Sequence, residues 1–578
     1  MKKFFVLVAL AATLAPAIFV IHEVGGWRNW QGVIPRGSTD SLYYYARMHE
    51  VVDGYPLVGN PYVYEYRKAL SPAFFLPDIV SAIPILIGVP FSIAVMINMF
   101  AWSFIFLVLS FTLLRLLHLP RGWALLWSVL PFISLYSLML RPTVMQLVFP
   151  LFLAFLIALL KFLYEPTTRR RIFLLALAAA TTFYVYTFLS YIVILSLAFI
   201  FFWFLFTRRY KELRALITVG IFSILLIIPF GFYTLMQMRG PYYLETLSRI
   251  GLVFTHIPAI EASLYGRWVL TALVAFGLLR FFFPKEEEGN SERKVFWLAT
   301  GTGLLTSLFL NVITGAELTL GVHVGRFVIL WMALILGFLL YEWYSLRTFK
   351  IHKTKYIVVA IFLSMLSIGV ARSIPHGLDF FKFNDNGSHD IADLQAYAAP
   401  LNWLDKNVSE QSVIWANESV SEYIPIMTRH YPLFFEGAVL HSISGSELED
   451  RYLLSQSMGI LTPEDLKRDF GLYSGAGPSE LEPLARNRYA WLCQVTVRFV
   501  GNHECPPHTD AIALRGEEYF KMLAERLHTI KKNQVALLQQ FNVKYLLIDR
   551  AYDNLERLSL DKALYDDGRF VILALPIK

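Results

Sequence analysis

The sequence predicts a mainly α-helical protein, a polytopic bundle of about eleven membrane-spanning helices followed by a soluble α/β domain. Three observations predict it. Long apolar runs fill residues 1–374, whereas residues 375–578 read as an ordinary globular sequence. Hydrophobic residues make up 56% of the 578 and charged residues only 16%, with a mean hydropathy of +0.51. A soluble protein of that make-up would expose far too much apolar surface. Basic residues also gather in alternate short loops, as the positive-inside rule requires. The net charge of +7 is therefore explained by membrane topology, and the chain has no Arg-rich aromatic arrays that would suit a nucleic acid.

A membrane helix needs about twenty mostly apolar residues. Runs of that kind occupy 4–21, 91–114, 122–140, 144–162, 172–186, 188–206, 215–236, 267–284, 295–314, 326–345 and 356–374. The fifth and sixth share one run of 35 residues, so they are short or joined by a tight turn. The run 74–89, broken by Pro77 and Pro84, reads as an interfacial or re-entrant helix. Were it a true span, every later segment would be inverted.

Charge decides between these topologies. With Lys2 and Lys3 inside, the inner loops hold Arg115 and Arg121, then Arg169 to Arg171, then Arg208, Arg209, Lys211 and Arg214. Lys285, Arg293 and Lys294 follow, and then Arg347, Lys350, Lys353 and Lys355. The short outer loops hold only Arg141, Arg239, Arg249, Arg267 and Arg326. The loop 22–90 and the C-terminal domain therefore face the exterior. That is the periplasm or cell surface of a bacterium, or the lumen in a eukaryote. The first apolar run also has the pattern of a signal peptide, which would leave the loop on the same side. Cys493 and Cys505 are the only cysteines and both fall in the exterior domain. They suit either a disulfide or two free thiols, and they make a poor zinc site.

The first exterior loop carries the densest chemistry. Ser38 or Thr39 can cap a helix that runs to Asp53, where Gly54 stops it. On that helix Asp40, Tyr43, Tyr44 and Arg47 fall along one face. Further on, Tyr62, Tyr64 and Tyr66 alternate with Glu65 and Arg67. Tyrosines here also serve as anchors at the membrane interface. Asp40 has two readings. A carboxylate in a first helical turn is favoured by the macrodipole; a carboxylate facing an acceptor hydroxyl is a general base.

One helix, a long exterior loop with an early acid, and the pattern D-x-x-Y-Y-Y-A-R from Asp40 to Arg47 resemble the membrane glycosyltransferases of GT-C type. The resemblance covers the membrane part, about two-thirds of the chain. It implies a polyprenyl-phosphate-linked sugar as donor and an active site containing the first-loop acid, here Asp40. It implies an acceptor hydroxyl on a glycan, a lipid or a protein. Glu65, Tyr44 and Arg47 would line the same cavity. Oligosaccharyltransferases of this type carry further acids in a later exterior loop that help to bind a metal. The corresponding loop here, around Arg141, has none, so a divalent metal is not favoured and transfer of one sugar from a lipid monophosphate fits better.

An anionic donor head calls for arginine, whose planar fork binds phosphate oxygens in pairs. Arg141 and Arg326 are the candidates, with Glu317 and His323 in the short loop before Arg326. Each arginine also suits snorkelling from a helix end, and His323 a packed interfacial position. The segment 239–267 reads as an amphipathic surface stretch or as a gate over a lipid groove. Ionisable residues are scarce inside the apolar runs, which argues against an ion-coupled pump. A lipid or polysaccharide transporter, or a non-catalytic anchor for the exterior domain, are the rival readings.

The exterior tail alternates helical and strand patterns. Residues 393–407 have helical spacing, 412–417 reads as a buried strand, 517–541 as a long amphipathic helix, and 543–550 and 569–577 as strands. It has no phosphate loop and no nucleophile elbow. The stretch from His503 to His508 reads as a constrained loop before it reads as a metal site.

Overall fold

The computed structural model describes residues 40–72, 74–258, 265–282, 290–318, 320–346, 391–457, 461–500, 504–553 and 563–575, with parts of 8–35 and 360–368. The expected spans at 4–21 and 356–374 lie mostly outside the described residues.

The first loop folds as helix α1 (Ser41–Val52) and helix α2 (Leu76–Leu86), joined by turns. Gly54, at φ +97°, ends the first helix in a left-handed turn, as its sequence suggests. Eleven residues of α2 rise about 16 Å, too little to cross a bilayer, and Pro84 sits inside it. The apolar runs then become α3 (Phe91–Leu116), α4 (Arg121–Ser134), α5 (Val144–Tyr164), α6 (Arg169–Val185), α7 (Thr187–Phe206) and α8 (Tyr210–Met238). Helix α9 (Tyr243–Ile250) and strand β1 (Leu252–Phe254) lead to α10 (Tyr265–Phe282) and α11 (Asn290–Leu308). Strand β2 (Ala316–Leu318) precedes α12 (Leu320–Leu346).

Among the described residues, five helices are long and apolar enough to cross a membrane: α3, α5, α7, α8 and the stretch His323–Ser345 of α12. The expected spans at 122–140, 172–186, 267–284 and 295–314 are helical over their described residues but shorter or broken. The 35-residue run splits at Tyr186, whose φ of −167° and ψ of 104° are extended, so α6 and α7 are separate rods. Helix α4 stops at Leu135, four residues after Pro131, and a short helix Tyr136–Met139 follows. Along α8 the side chains of Ile221, Ile224, Ile228, Phe232 and Leu235 are exposed at helical spacing, an apolar stripe that suits hydrocarbon rather than water. Where α7 meets α11 the backbones approach through small residues: a Cβ on Gly303 would lie 2.2 Å from Ser196 Oγ.

The tail contains a five-stranded sheet in the order β4-β3-β5-β7-β6. Strands β3 (Val413–Trp415), β4 (Tyr431–Pro432) and β5 (Val543–Asp549) are parallel neighbours. Strand β7 (Phe570–Ala574) runs antiparallel to β5, and the edge strand β6 (Ala563–Asp566) pairs antiparallel with β7. The central strand buries Leu546, Leu547 and Ile548, as its apolar run foretells. The amphipathic segment 517–541 forms two helices, Glu517–Lys532 and Gln534–Gln540, with the break at Asn533. Helix α13 (Glu482–Val500), which carries Cys493, has no counterpart in the sequence reading. Cys493 and Cys505 form a disulfide.

This domain docks on one pole of the bundle. Arg249 of α9 donates to the carbonyls of Val439 (3.0 Å) and Ile443 (2.7 Å), which anchors the segment expected as a possible gate. The Tyr66 hydroxyl donates to Glu447 (2.8 Å) and that of Tyr55 to Gln411 (3.0 Å). The first loop, α9, the antiparallel pair β1–β2 and the C-terminal domain thus share one side. The opposite pole carries basic loops in ion pairs, among them Arg209 with Glu212 (3.0 Å) and Arg293 with Glu342 (3.2 Å).

Glu50 is part of this docking. It is 3% exposed, and the Tyr431 hydroxyl donates to it at 3.2 Å. Burial, then the charge of Asp53, raises its pKa well above the ordinary carboxylate range, against the pull of Tyr431 and Arg67. An acid whose folded pKa is raised contributes most stability below its unfolded pKa and loses it as pH rises through the folded value. Glu50→Gln is therefore expected to raise stability near neutral pH by about 1–2 kcal/mol. The gain should vanish near pH 4, and thermal melts at the two pH values measure it.

Candidate functional site

Helix α1 begins at Asp40, which occupies the N-cap position but makes no capping hydrogen bond with its side chain. Ser38 and Thr39 lie outside the described residues. The Asp40 carboxylate instead pairs with Arg141, from the loop between α4 and α5, across 101 residues of sequence. Its side chain remains 38% exposed while that of Arg141 is only 6% exposed. Reach from solvent and a buried counter-charge therefore meet at one carboxylate.

Tyr44, one turn along α1, completes the Arg141 cradle. Arg141 Nη2 donates to the Tyr44 hydroxyl at 2.9 Å, and the guanidinium lies 4.9 Å from the ring centroid. Burial, and next the like charge of Arg326, lower the Arg141 pKa, against the pull of Tyr186. Arg326 lies near the start of α12, its Nη1 3.8 Å from Met145 Sδ on α5. One turn earlier, His323 stacks on Phe188 with centroids 4.0 Å apart and hydrogen-bonds the Tyr186 hydroxyl through Nδ1.

Asp40, Tyr44, Arg141, His323 and Arg326 therefore converge at the pole where the C-terminal domain docks. The sequence reading missed Tyr186. Its signal was the cluster of polar and aromatic residues, Thr181 to Thr187, inside an otherwise aliphatic run. The extended backbone there turns the tyrosine toward α12.

Three expected site residues lie elsewhere. Arg47 is fully buried, bonded to Asp78 at 2.7 Å, to the Tyr43 hydroxyl at 3.1 Å and to Ser71 Oγ at 3.2 Å. It staples α1 to α2, because α2 covers that side of α1. Glu65 pairs with Arg451 at 2.7 Å and accepts from Asn542 at 2.9 Å, holding the C-terminal domain rather than lining the Asp40 cluster. Glu317 binds Arg488 of α13 at 2.5 and 3.3 Å. Its sequence nearness to His323 misleads, since Glu317 sits on a strand paired with β1 and the helix begins only at Leu320.

Among the described residues no three His, Cys, Asp or Glu side chains converge as metal ligands. The Asp40 carboxylate is paired with the Arg141 guanidinium, which repels a cation and attracts an anion. No protein-family model and no curated protein matches the chain.

Proposed function

We propose that the chain is an integral membrane glycosyltransferase of GT-C type, with eleven spans and its first loop and C-terminal domain outside. It transfers one sugar from a polyprenyl-phosphate donor to an exterior hydroxyl of a glycan, lipid or protein. The observation that carries this reading is the meeting of a solvent-reachable acid, Asp40, with two arginines, Arg141 and Arg326, at the end of an apolar helical bundle. The basic loops at the opposite pole support the orientation under the positive-inside rule. The disulfide supports an oxidising exterior.

The chemistry follows from charge. The acceptor oxygen forms a bond to the sugar C1, its proton passes to Asp40, and the bond from C1 to the phosphate oxygen breaks with its electron pair. Polyprenyl phosphate leaves with one more negative charge than the diester had. Arg141 and Arg326 offset that charge, which grows toward the transition state and so lowers the barrier. Attack from the face opposite the phosphate inverts the anomeric centre. A phosphate near Arg141 also competes with Asp40 for the guanidinium, so donor binding releases the carboxylate for the acceptor.

The test is to incubate the purified protein in nanodiscs with a panel of polyprenyl-phosphate sugars and search for released polyprenyl phosphate. Release with one sugar and not the others is the expected result. No release across the panel, with folded protein, contradicts the reading.

A further inference from the structure

Between Arg141 and α5 the backbone takes an unusual path. Thr143 is fully buried and has φ +54°, a region that β-branched residues rarely enter. Three residues on, in the first turn of α5, stands Gln146. It is 1% exposed, and both atoms of its amide are buried with no hydrogen-bond partner. Arg141 Nε is in the same condition. Buried polar atoms are nearly always partnered, so two such groups five residues apart point to a ligand.

The surroundings say which kind. The first turn of a helix presents backbone N–H groups without intrahelical acceptors and carries the positive end of the helix dipole. Helix α5 has 21 residues, long enough to develop that dipole. Helical side chains lean toward the N-terminus, which carries the Gln146 amide back toward Arg141. Arg326 reaches the same turn, through its contact with Met145. Donors therefore dominate: the helix end, Gln146 Nε2, Arg141 Nε and the Arg326 guanidinium.

We infer that the first turn of α5, with Gln146 as a positioning residue, is an anion subsite that takes a phosphoryl group. The inference rests on the proposed function in naming the donor's phosphate as its occupant; a free phosphate has the same chemistry. Gln146 orients the group by hydrogen bonding while the two arginines supply charge.

The test uses wild-type protein and Gln146→Met in nanodiscs, titrated with polyprenyl monophosphate, with unphosphorylated polyprenol and with inorganic phosphate. Methionine has nearly the same volume and leaves no orphaned amide. The variant is expected to melt at the same temperature or higher, yet to bind polyprenyl monophosphate about tenfold more weakly or worse. A purely structural glutamine would not separate those two readouts. Gln146→Glu, the second variant, should lose binding through charge repulsion, and it replaces the first if methionine prevents folding.

Equal binding by wild type and both variants overturns the subsite and leaves the transferase reading standing. Wild-type binding of inorganic phosphate but not of the lipid, lost in the variants, supports the subsite and removes its donor assignment. Absence of binding to either phosphate overturns the inference.

Discussion

Asp40→Asn is expected to lower turnover by about 10²–10⁴-fold, the range that a positioned general base contributes. The reason lies in what asparagine keeps. Its amide oxygen still accepts from Arg141, so the cradle with Tyr44 survives, and an exposed helix start tolerates the change. What it cannot do is take the acceptor's proton. The loss should fall on kcat more than on KM for the donor, because in the proposed reaction Arg141 and Arg326 hold the phosphate whether or not residue 40 is charged. Melting within a few degrees of wild type, beside wild-type turnover, would remove Asp40 from the mechanism.

Arg47→Met is expected to destabilise the protein by about 3–5 kcal/mol, the cost of leaving one partner of a buried ion pair alone. Both Arg47 and Asp78 have fully buried side chains. Burial already pushes the Asp78 carboxyl up despite the arginine beside it. Without Arg47 the Phe74 carbonyl, the Ser71 hydroxyl and the Tyr43 hydroxyl also lose a donor. Replacing Asp78 by leucine in the same protein should recover most of the loss, since an apolar pair leaves no buried charge. Denaturation of the two single variants and the double variant gives the coupling. An additive result would show that the pair does not staple α1 to α2. Because Arg47 faces α2, the folded fraction of Arg47→Met should retain transfer, which separates it from Asp40→Asn.

These two residues show what a sequence can and cannot reveal. Helical spacing puts Asp40, Tyr43, Tyr44 and Arg47 along one stripe, and α1 does form over that stretch. Spacing does not say what covers each part of the stripe. Arg141 covers Asp40 and Tyr44, whereas α2 and its Asp78 cover Arg47. The apolar runs were legible because hydrocarbon demands them, and so was the division of the 35-residue run into two helices. The strands at 413–415, 543–549 and 570–574 were legible as buried apolar runs. The pairing of Asp40 with Arg141 was not, since nothing local links residues 101 apart. Glu65 and Glu317 are acids in the expected loops, but each is claimed by an arginine of the C-terminal domain that only the tertiary fold brings near.

The most direct test is a structure of the protein in a nanodisc saturated with polyprenyl phosphate. The account predicts the phosphate oxygens about 3 Å from the guanidinium nitrogens of Arg141 and Arg326, with the Asp40 carboxylate facing the site that a sugar C1 would occupy. A phosphate bound at the opposite pole, beside Arg209 and Arg293, would contradict it.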